Sequence, residues 1–223
     1  MMEIFKTKDE MFDKASSDVL SFLENIVEAK GNADVLLSGG STPGPLYVRI
    51  DYQCEYLNKI NFALIDERFV PTNNLYSNEL FVRNCFQNNE NNYYSIMGMV
   101  FDEKNPKNNL KILNKKYKKF IQNTDLIILG MGKDGHIASI FPEDISSRSA
   151  LNSSDSFFNT ISPSMPNMRI TASLNFICKA KKIILLIIGN EKKKVLTDEN
   201  KNLPIHLLLS KRNDINIYYT DHG

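Results

Sequence analysis

The chain has 223 residues, enough for one sizeable domain, and its 42% hydrophobic and 24% charged content is that of an ordinary folded globule. Its 27 Lys and Arg against 26 Asp and Glu give a formal net charge of +1, so no global positive field favours nucleic acid or an anionic membrane as partner. Three widely spaced cysteines (Cys54, Cys85, Cys178) without a CxxC pair suit neither a disulfide framework nor a zinc site, and Met1 to Lys6 turn charged too early for a secretory signal, so a cytoplasmic protein is expected.

In chain order, Phe12, Ala15, Val19, Phe22, Leu23 and Ile26 recur at steps of three and four, which predicts a helix from Asp9 to Lys30, ended by Gly31-Asn32. A buried strand at Val35-Leu36-Leu37 runs into Ser38-Gly39-Gly40-Ser41-Thr42, and Pro43 opens a helix to about Tyr52. A second strand, Ile60 to Ile65, leads into Asp66-Glu67-Arg68 and an Asn/Pro-rich loop. Ser77 or Asn78 caps a helix through Phe86, and Tyr93 to Met97 reads as a strand. Leu110, Leu113, Tyr117 and Phe120 predict a helix from Pro106 to Ile121, with the lysines between 107 and 119 on its solvated face.

Asp125 to Leu129 is a third strand, followed by Gly130-Met131-Gly132-Lys133-Asp134-Gly135-His136. The polar stretch from Glu143 to Ser156 reads as a surface loop. Arg169-Ile170-Thr171 is strand-like, and a helix is expected at Leu174 to Ala180. A strand follows at Ile183 to Ile188, too short to span a bilayer, which takes about 20 residues. Helices from Glu191 and Pro204 and a strand at Ile215 to Tyr219 complete the chain. Apolar strands alternating with helices predict an α/β fold, a mostly parallel sheet with helices on both faces. No repeat or long linker divides the chain, so a single domain over 1–223 is expected.

Ligands in such sheets bind at the carboxyl ends of strands, so the strand-to-helix junctions are the candidate site. Ser38 to Thr42 offers small residues and a helix start that favour an anion, although a tight turn needs the same residues. Gly130 to Gly135 matches GxGxxG. The acidic residue that a dinucleotide site needs about 20 residues on, at the end of the next strand, is missing, since that region is the polar loop around Asp155. His136 follows a strand and a glycine-rich turn, and Asp134, two residues earlier, can orient its ring as a base. His206 and His222 lack such settings. Arg68, held by an acid, is either a charge stabiliser or part of a loop ion pair. Arg169 and Lys192 are the remaining cations at junctions, of the kind a phosphate dianion needs.

Together these junctions resemble 6-phosphogluconolactonases. The matching stretches are Ser38 to Pro43, Asp66 to Pro71 with Ser77-Asn78, Gly130 to Pro142, Arg169-Ile170-Thr171 and Gly189-Asn190-Glu191-Lys192, in the family's order. The resemblance implies a Rossmann-like fold shared with glucosamine-6-phosphate deaminases, and hydrolysis of 6-phospho-D-glucono-1,5-lactone to 6-phosphogluconate in the oxidative pentose phosphate pathway. It implies His136 as base, with Ser38, Gly39, Gly40, Ser41, Thr42, Arg169 and Lys192 on the phosphate and Asp66 and Glu67 in the cleft. Arg68 is left to either the oxyanion or the phosphate. No metal or redox cofactor is expected, because a lactone is already an activated acyl group. The partner is the small sugar-phosphate lactone, and the protein is expected to be a monomer or weak homo-oligomer. Deaminases read GHIAFNEP where this chain has His136-Ile137-Ala138-Ser139-Ile140-Phe141-Pro142, and Asp-Glu-Tyr where it has Asp66-Glu67-Arg68. Both departures favour the lactonase over the deaminase. A non-catalytic sugar-phosphate sensor is the other alternative. Nothing is assigned between Glu143 and Met168.

Overall fold

A computed structural model describes residues 2–87, 95–198 and 202–221. The apolar stripe near the N-terminus becomes α1 (Lys8–Lys30) because it has a defined start and stop. Thr7 accepts the Glu10 N–H at 3.1 Å, Asp9 and Glu10 complement the helix dipole, and Gly31, at φ 83°, closes the far end. The stripe buries Met11, Phe12, Ala15, Val19, Leu23 and Val27.

Among the described residues seven strands form one sheet: β1 (Met2–Phe5), β2 (Ala33–Leu37), β3 (Ile60–Leu64), β5 (Ser95–Met97), β6 (Leu126–Gly130), β9 (Lys182–Ile188) and β10 (Asn216–Thr220). Their order is β1-β10-β9-β6-β2-β3-β5, and every pair is parallel. Successive strand residues point to opposite faces, yet all of Ala33–Leu37 and all of Ile183 to Ile187 are buried. Both faces are therefore covered, and each fully buried Leu or Ile contributes about 1.5–3 kcal/mol. A second, antiparallel sheet of order β4-β8-β7 comprises β4 (Asp66–Arg68), β8 (Met168–Ala172) and β7 (Phe157–Ile161). The helices are α2 (Gly44–Gln53), α3 (Asn78–Cys85), α4 (Pro106–Lys116), α5 (Lys118–Gln122), α6 (Ile145–Asn152), α7 (Leu174–Ile177), α8 (Asn190–Thr197) and α9 (Pro204–Lys211). No described helix is long and apolar enough to cross a membrane.

Several local expectations change. The stretch expected as a surface loop contains α6, because Asp144 accepts the N–H groups of Ser146 and Ser147 at 3.2 and 2.9 Å and starts a helix that buries Ser147 and Ala150. The helix expected through Ile121 breaks into α4 and α5 at Tyr117 (φ −85°, ψ 7°). Its buried hydroxyl accepts the Leu64 N–H at 3.1 Å and donates to the Met97 carbonyl at 2.9 Å. Asp66–Arg68, which follows the strand expected at Ile60 to Ile65, forms a short strand of its own in the second sheet. Tyr93, Tyr94 and His222 lie outside the described residues.

At the amino ends of the strands sits an ionic cluster. Asp125 is buried and receives Lys30 at 2.5 Å, Lys181 at 3.0 Å and the Asp34 N–H at 2.7 Å, while Lys119 reaches Asp34 at 3.0 Å. Burial alone would raise the Asp125 carboxyl, but these donors hold it below the usual carboxylate range.

Candidate active site

At the opposite, carboxyl ends of β2, β6 and β9 lies a cleft of about 310 Å³. It is at the small end of the range for small-molecule sites. Ser38 to Thr42, Asp66, Arg68, Asp134, His136, Arg169 and Lys192 all line it. Glu67 does not. Along β4 side chains alternate, so Asp66 and Arg68 face the cleft while Glu67 turns to the other side. There its carboxylate accepts from the N–H groups of Arg68, Asn78 and Glu79 and from the Ser77 hydroxyl, holding the start of α3. Burial lifts this carboxyl to about 7 against the pull of those four donors. Glu67 is thus a structural cap rather than a cleft residue.

His136 rides on the turn after β6. Its Nδ1 lies 2.6 Å from Asp134 Oδ1, and its ring centroid is 4.8 Å from that of Phe141. Burial works to raise the Asp134 carboxyl, but the hydrogen bond and charge of His136 keep it below the ordinary value. An ionised Asp134 places the ring proton on Nδ1 and leaves Nε2 as the basic nitrogen. The ring lies against Gly132, where a Cβ would sit 2.2 Å from Nδ1 and 2.4 Å from Asp134 Oδ1, so only glycine admits the pair. No helix follows this turn directly, and the GxGxxG match is not a dinucleotide loop.

The glycine loop enters α2 through Pro43 with no side chain capping the helix. Pro45 has no N–H, and Leu46 and Tyr47 both donate to the Pro43 carbonyl at 3.0 and 3.1 Å, so the backbone donors at this entrance are those of the loop itself and Gly44. Gly39 is required by close approach, since a Cβ there would meet Asn78 Oδ1 at 1.9 Å. The Ser38 hydroxyl is committed elsewhere, donating to the Ile128 carbonyl at 2.9 Å. The loop therefore presents its backbone and the Ser41 and Thr42 side chains.

Arg169 and Arg68 are cross-strand partners on β8 and β4. Arg169 is 5% exposed, and its Nη2 donates to Ser162 Oγ at 3.2 Å and the Ser164 carbonyl at 3.5 Å. Its Nε and Nη1 are buried without a hydrogen-bond partner. Burial, and secondarily the charge of Arg68, bring this guanidinium down to about 10. Arg68 is held by the Tyr76 carbonyl, which accepts from Nη1 at 2.6 Å; among the described residues no acid pairs with it. The Lys192 amine is lowered by burial and by neighbouring Lys133, which itself pairs with Glu191 at 2.5 Å. Among the described residues no group of three or more His, Cys, Asp or Glu is placed to hold a metal ion.

The cleft also contains Asn78, Ser139, Phe141 and Ser162 to Ser164, which were not among the residues expected to line it. Asn78 and Ser139 stand within the stretches that carry the family resemblance. The serines at 162 and 164 fall in the unassigned segment, where no local motif marks them.

The family described as glucosamine-6-phosphate isomerases/6-phosphogluconolactonase matches residues 6–217. The probable 6-phosphogluconolactonase of Dictyostelium discoideum is 30% identical, with 94% of each chain covered. Among solved structures, the 6-phosphogluconolactonase of Shewanella baltica superposes with a TM-score of 0.92 at 26% identity, covering 99% of this chain and 97% of that one. A putative 6-phosphogluconolactonase of Neisseria gonorrhoeae gives a TM-score of 0.89 at 29% identity, with 99% of both chains covered.

Proposed function

The chain belongs to the glucosamine-6-phosphate isomerase/6-phosphogluconolactonase family, and from that premise we propose that it hydrolyses 6-phospho-D-glucono-1,5-lactone to 6-phosphogluconate with His136 as the base. The observation that carries this reading is one cleft holding both a carboxylate-oriented imidazole and a buried guanidinium with two unpaired donor nitrogens.

The phosphate binds Nε and Nη1 of Arg169, Lys192 and the backbone N–H groups of the glycine loop. Anchoring this unreactive end fixes the lactone carbonyl beside His136. Nε2 takes a proton from water as its oxygen attacks C1, and Arg68, the more exposed of the two arginines, stabilises the oxyanion. The imidazolium then delivers its proton to the ring oxygen as the C1–O bond breaks. Asp134 keeps the ring oriented and balances its transient charge. Phe141 packs on that ring and brings no carboxylate to it, which favours lactone hydrolysis over amino-sugar deamination.

A single domain acting as a monomer or weak homo-oligomer is part of the same proposal. Free Cys54, Cys85 and Cys178 suit the cytoplasm. The test supplies freshly generated lactone and follows acid release. His136→Ala should lower kcat by about 10² to 10⁴ while the thermal unfolding midpoint stays put. Undiminished activity in that variant removes the histidine from the reaction. Ammonia released from glucosamine 6-phosphate would instead point to the deaminase, and phosphate binding without turnover to a sensor.

A further inference from the structure

The two halves of the cleft stand on different sheets. His136 follows β6 of the parallel sheet, whereas Arg68 and Arg169 lie on β4 and β8 of the antiparallel one. Catalysis by positioning needs a fixed distance between them. The chain itself joins the sheets where β3 passes through Ile65 into β4, and the Ala172 N–H donates to the Ile65 carbonyl at 2.9 Å, but on the His136 side the turn is tied to the small sheet through Ser139. Ser139, three residues after His136, is 2% exposed, and each of its polar atoms is engaged by a different strand of the small sheet. Its hydroxyl donates to Asp66 Oδ2 on β4 at 2.6 Å. Its N–H donates to Thr171 Oγ1 on β8 at 3.1 Å, and its carbonyl accepts from Thr160 Oγ1 on β7 at 2.7 Å. The residue before it, Ala138, turns the chain at φ 47°, a left-handed conformation that a side chain rarely adopts and that the surrounding bonds hold in place.

We infer that Ser139, through Asp66, is the positioning residue that sets the reach from the His136 imidazole to the arginine pair, and that it acts on the rate of the hydrolysis rather than on substrate affinity. The inference rests on the lactonase reading above. Asp66 holds its place in turn: the Asn78 side-chain amide donates to its backbone carbonyl at 3.0 Å, and its Cα pairs with that of Thr171. The carboxylate lines the cleft with its Oδ2 already occupied by the serine hydroxyl, which makes it a holder of the turn rather than a proton acceptor for substrate.

The experiment compares wild type, Ser139→Ala, Asp66→Ala, the double variant and Asp66→Asn on freshly generated lactone, with crystal structures of wild type and Ser139→Ala. Loss of the hydroxyl should lower kcat about 10- to 10²-fold, the scale of a misplacement near 1 Å, with KM within threefold. Asp66→Ala should lower kcat equally and the double variant no further, because one contact is being removed twice. Asp66→Asn, which keeps an oxygen acceptor, should fall between wild type and Asp66→Ala. In the crystals the spacing from His136 Nε2 to the Arg169 guanidinium should change by about 1 Å. A Ser139→Ala kcat within twofold of wild type, additive losses in the double variant, or an unchanged spacing each overturn the assignment. Failure of wild type to hydrolyse the lactone would instead refute the functional reading, while the crystallographic spacing still decides the positioning role.

Discussion

Gly132→Ala tests the imidazole–carboxylate pair without deleting either member. The added Cβ would stand 2.2 Å from His136 Nδ1, 2.3 Å from Cε1 and 2.4 Å from Asp134 Oδ1, where ordinary contact begins near 3.4 Å. Relieving the worst of these, 3.4 minus 2.2, moves the ring by about 1.2 Å, and the same methyl presses on the carboxylate that orients it. The pair cannot retreat together along its 2.6 Å bond, because the intruding carbon contacts both partners. A displacement of that size costs on the order of 10² in kcat. KM should change little, since Arg169, Lys192 and the loop from Ser38 to Thr42 are untouched. Stability should also hold: the His136 side chain is 32% exposed and can swing outward, and replacing glycine reduces the freedom of the unfolded chain. The assay is steady-state turnover of freshly generated lactone beside a thermal melt. A Gly132→Ala enzyme with kcat within threefold of wild type would refute the claim that ring placement sets the rate.

Arg169→Lys keeps a positive charge but removes the planar donors, so KM should rise about 10- to 10²-fold with a smaller loss of kcat, the value of one or two charge-assisted hydrogen bonds. An unchanged KM would take the phosphate away from this arginine. Asp125→Asn probes the far end of the sheet. Its carboxyl is depressed in the folded protein, so the ionised form stabilises above the unfolded value near 3.8, and that stability is lost as pH falls through the lower folded value. Denaturant unfolding at pH 7 should show a loss of about 1–3 kcal/mol, shrinking progressively below pH 3.8. A deficit that persists undiminished at the lowest pH would show that packing, not charge, is responsible.

The large sheet was legible because its strands are continuous apolar runs between helix signals, and a run such as Ile183 to Ile188 has no other stable place than a buried strand. Ser38 to Thr42, Asp134, His136 and Lys192 were legible for the same reason, since they follow those strands directly, whereas Arg169 stands on β8 of the small sheet. What escaped depends on partners distant in sequence. Nothing local says that the Tyr117 hydroxyl will be drawn between Leu64 and Met97 and break a helix there. The small sheet joins residues 66–68 to residues 157–172, a pairing across about a hundred positions with no periodicity to announce it. Glu67 was misplaced because its neighbours belong to the cleft, whereas strand alternation sends the middle of three consecutive residues to the opposite face. In α6, the polar Ser146, Ser147, Arg148 and Ser149 obscure the stripe, and only the Asp144 cap betrays the helix.

The charge arrangement in the cleft bears on why the binding end and the reacting end are built so differently. In the proposed reaction His136, part-exposed on its turn, exchanges protons with solvent between cycles. Arg169 is almost wholly buried and carries two donor nitrogens without partners. Burial and Arg68 lower it only to about 10, so at pH 7 the cation is present before substrate arrives. Its desolvation is paid during folding, not during binding, and the hydroxyl of Ser162 and the carbonyl of Ser164 fix its orientation. In the proposed binding mode a phosphate dianion entering the cleft therefore meets donors already buried and aimed. The attraction is strong in that low-dielectric setting, and little is lost to reorganisation. Under the proposed mechanism, binding energy gained at this end is then available to hold a neutral lactone carbonyl, which has little affinity of its own, against the imidazole for long enough to react.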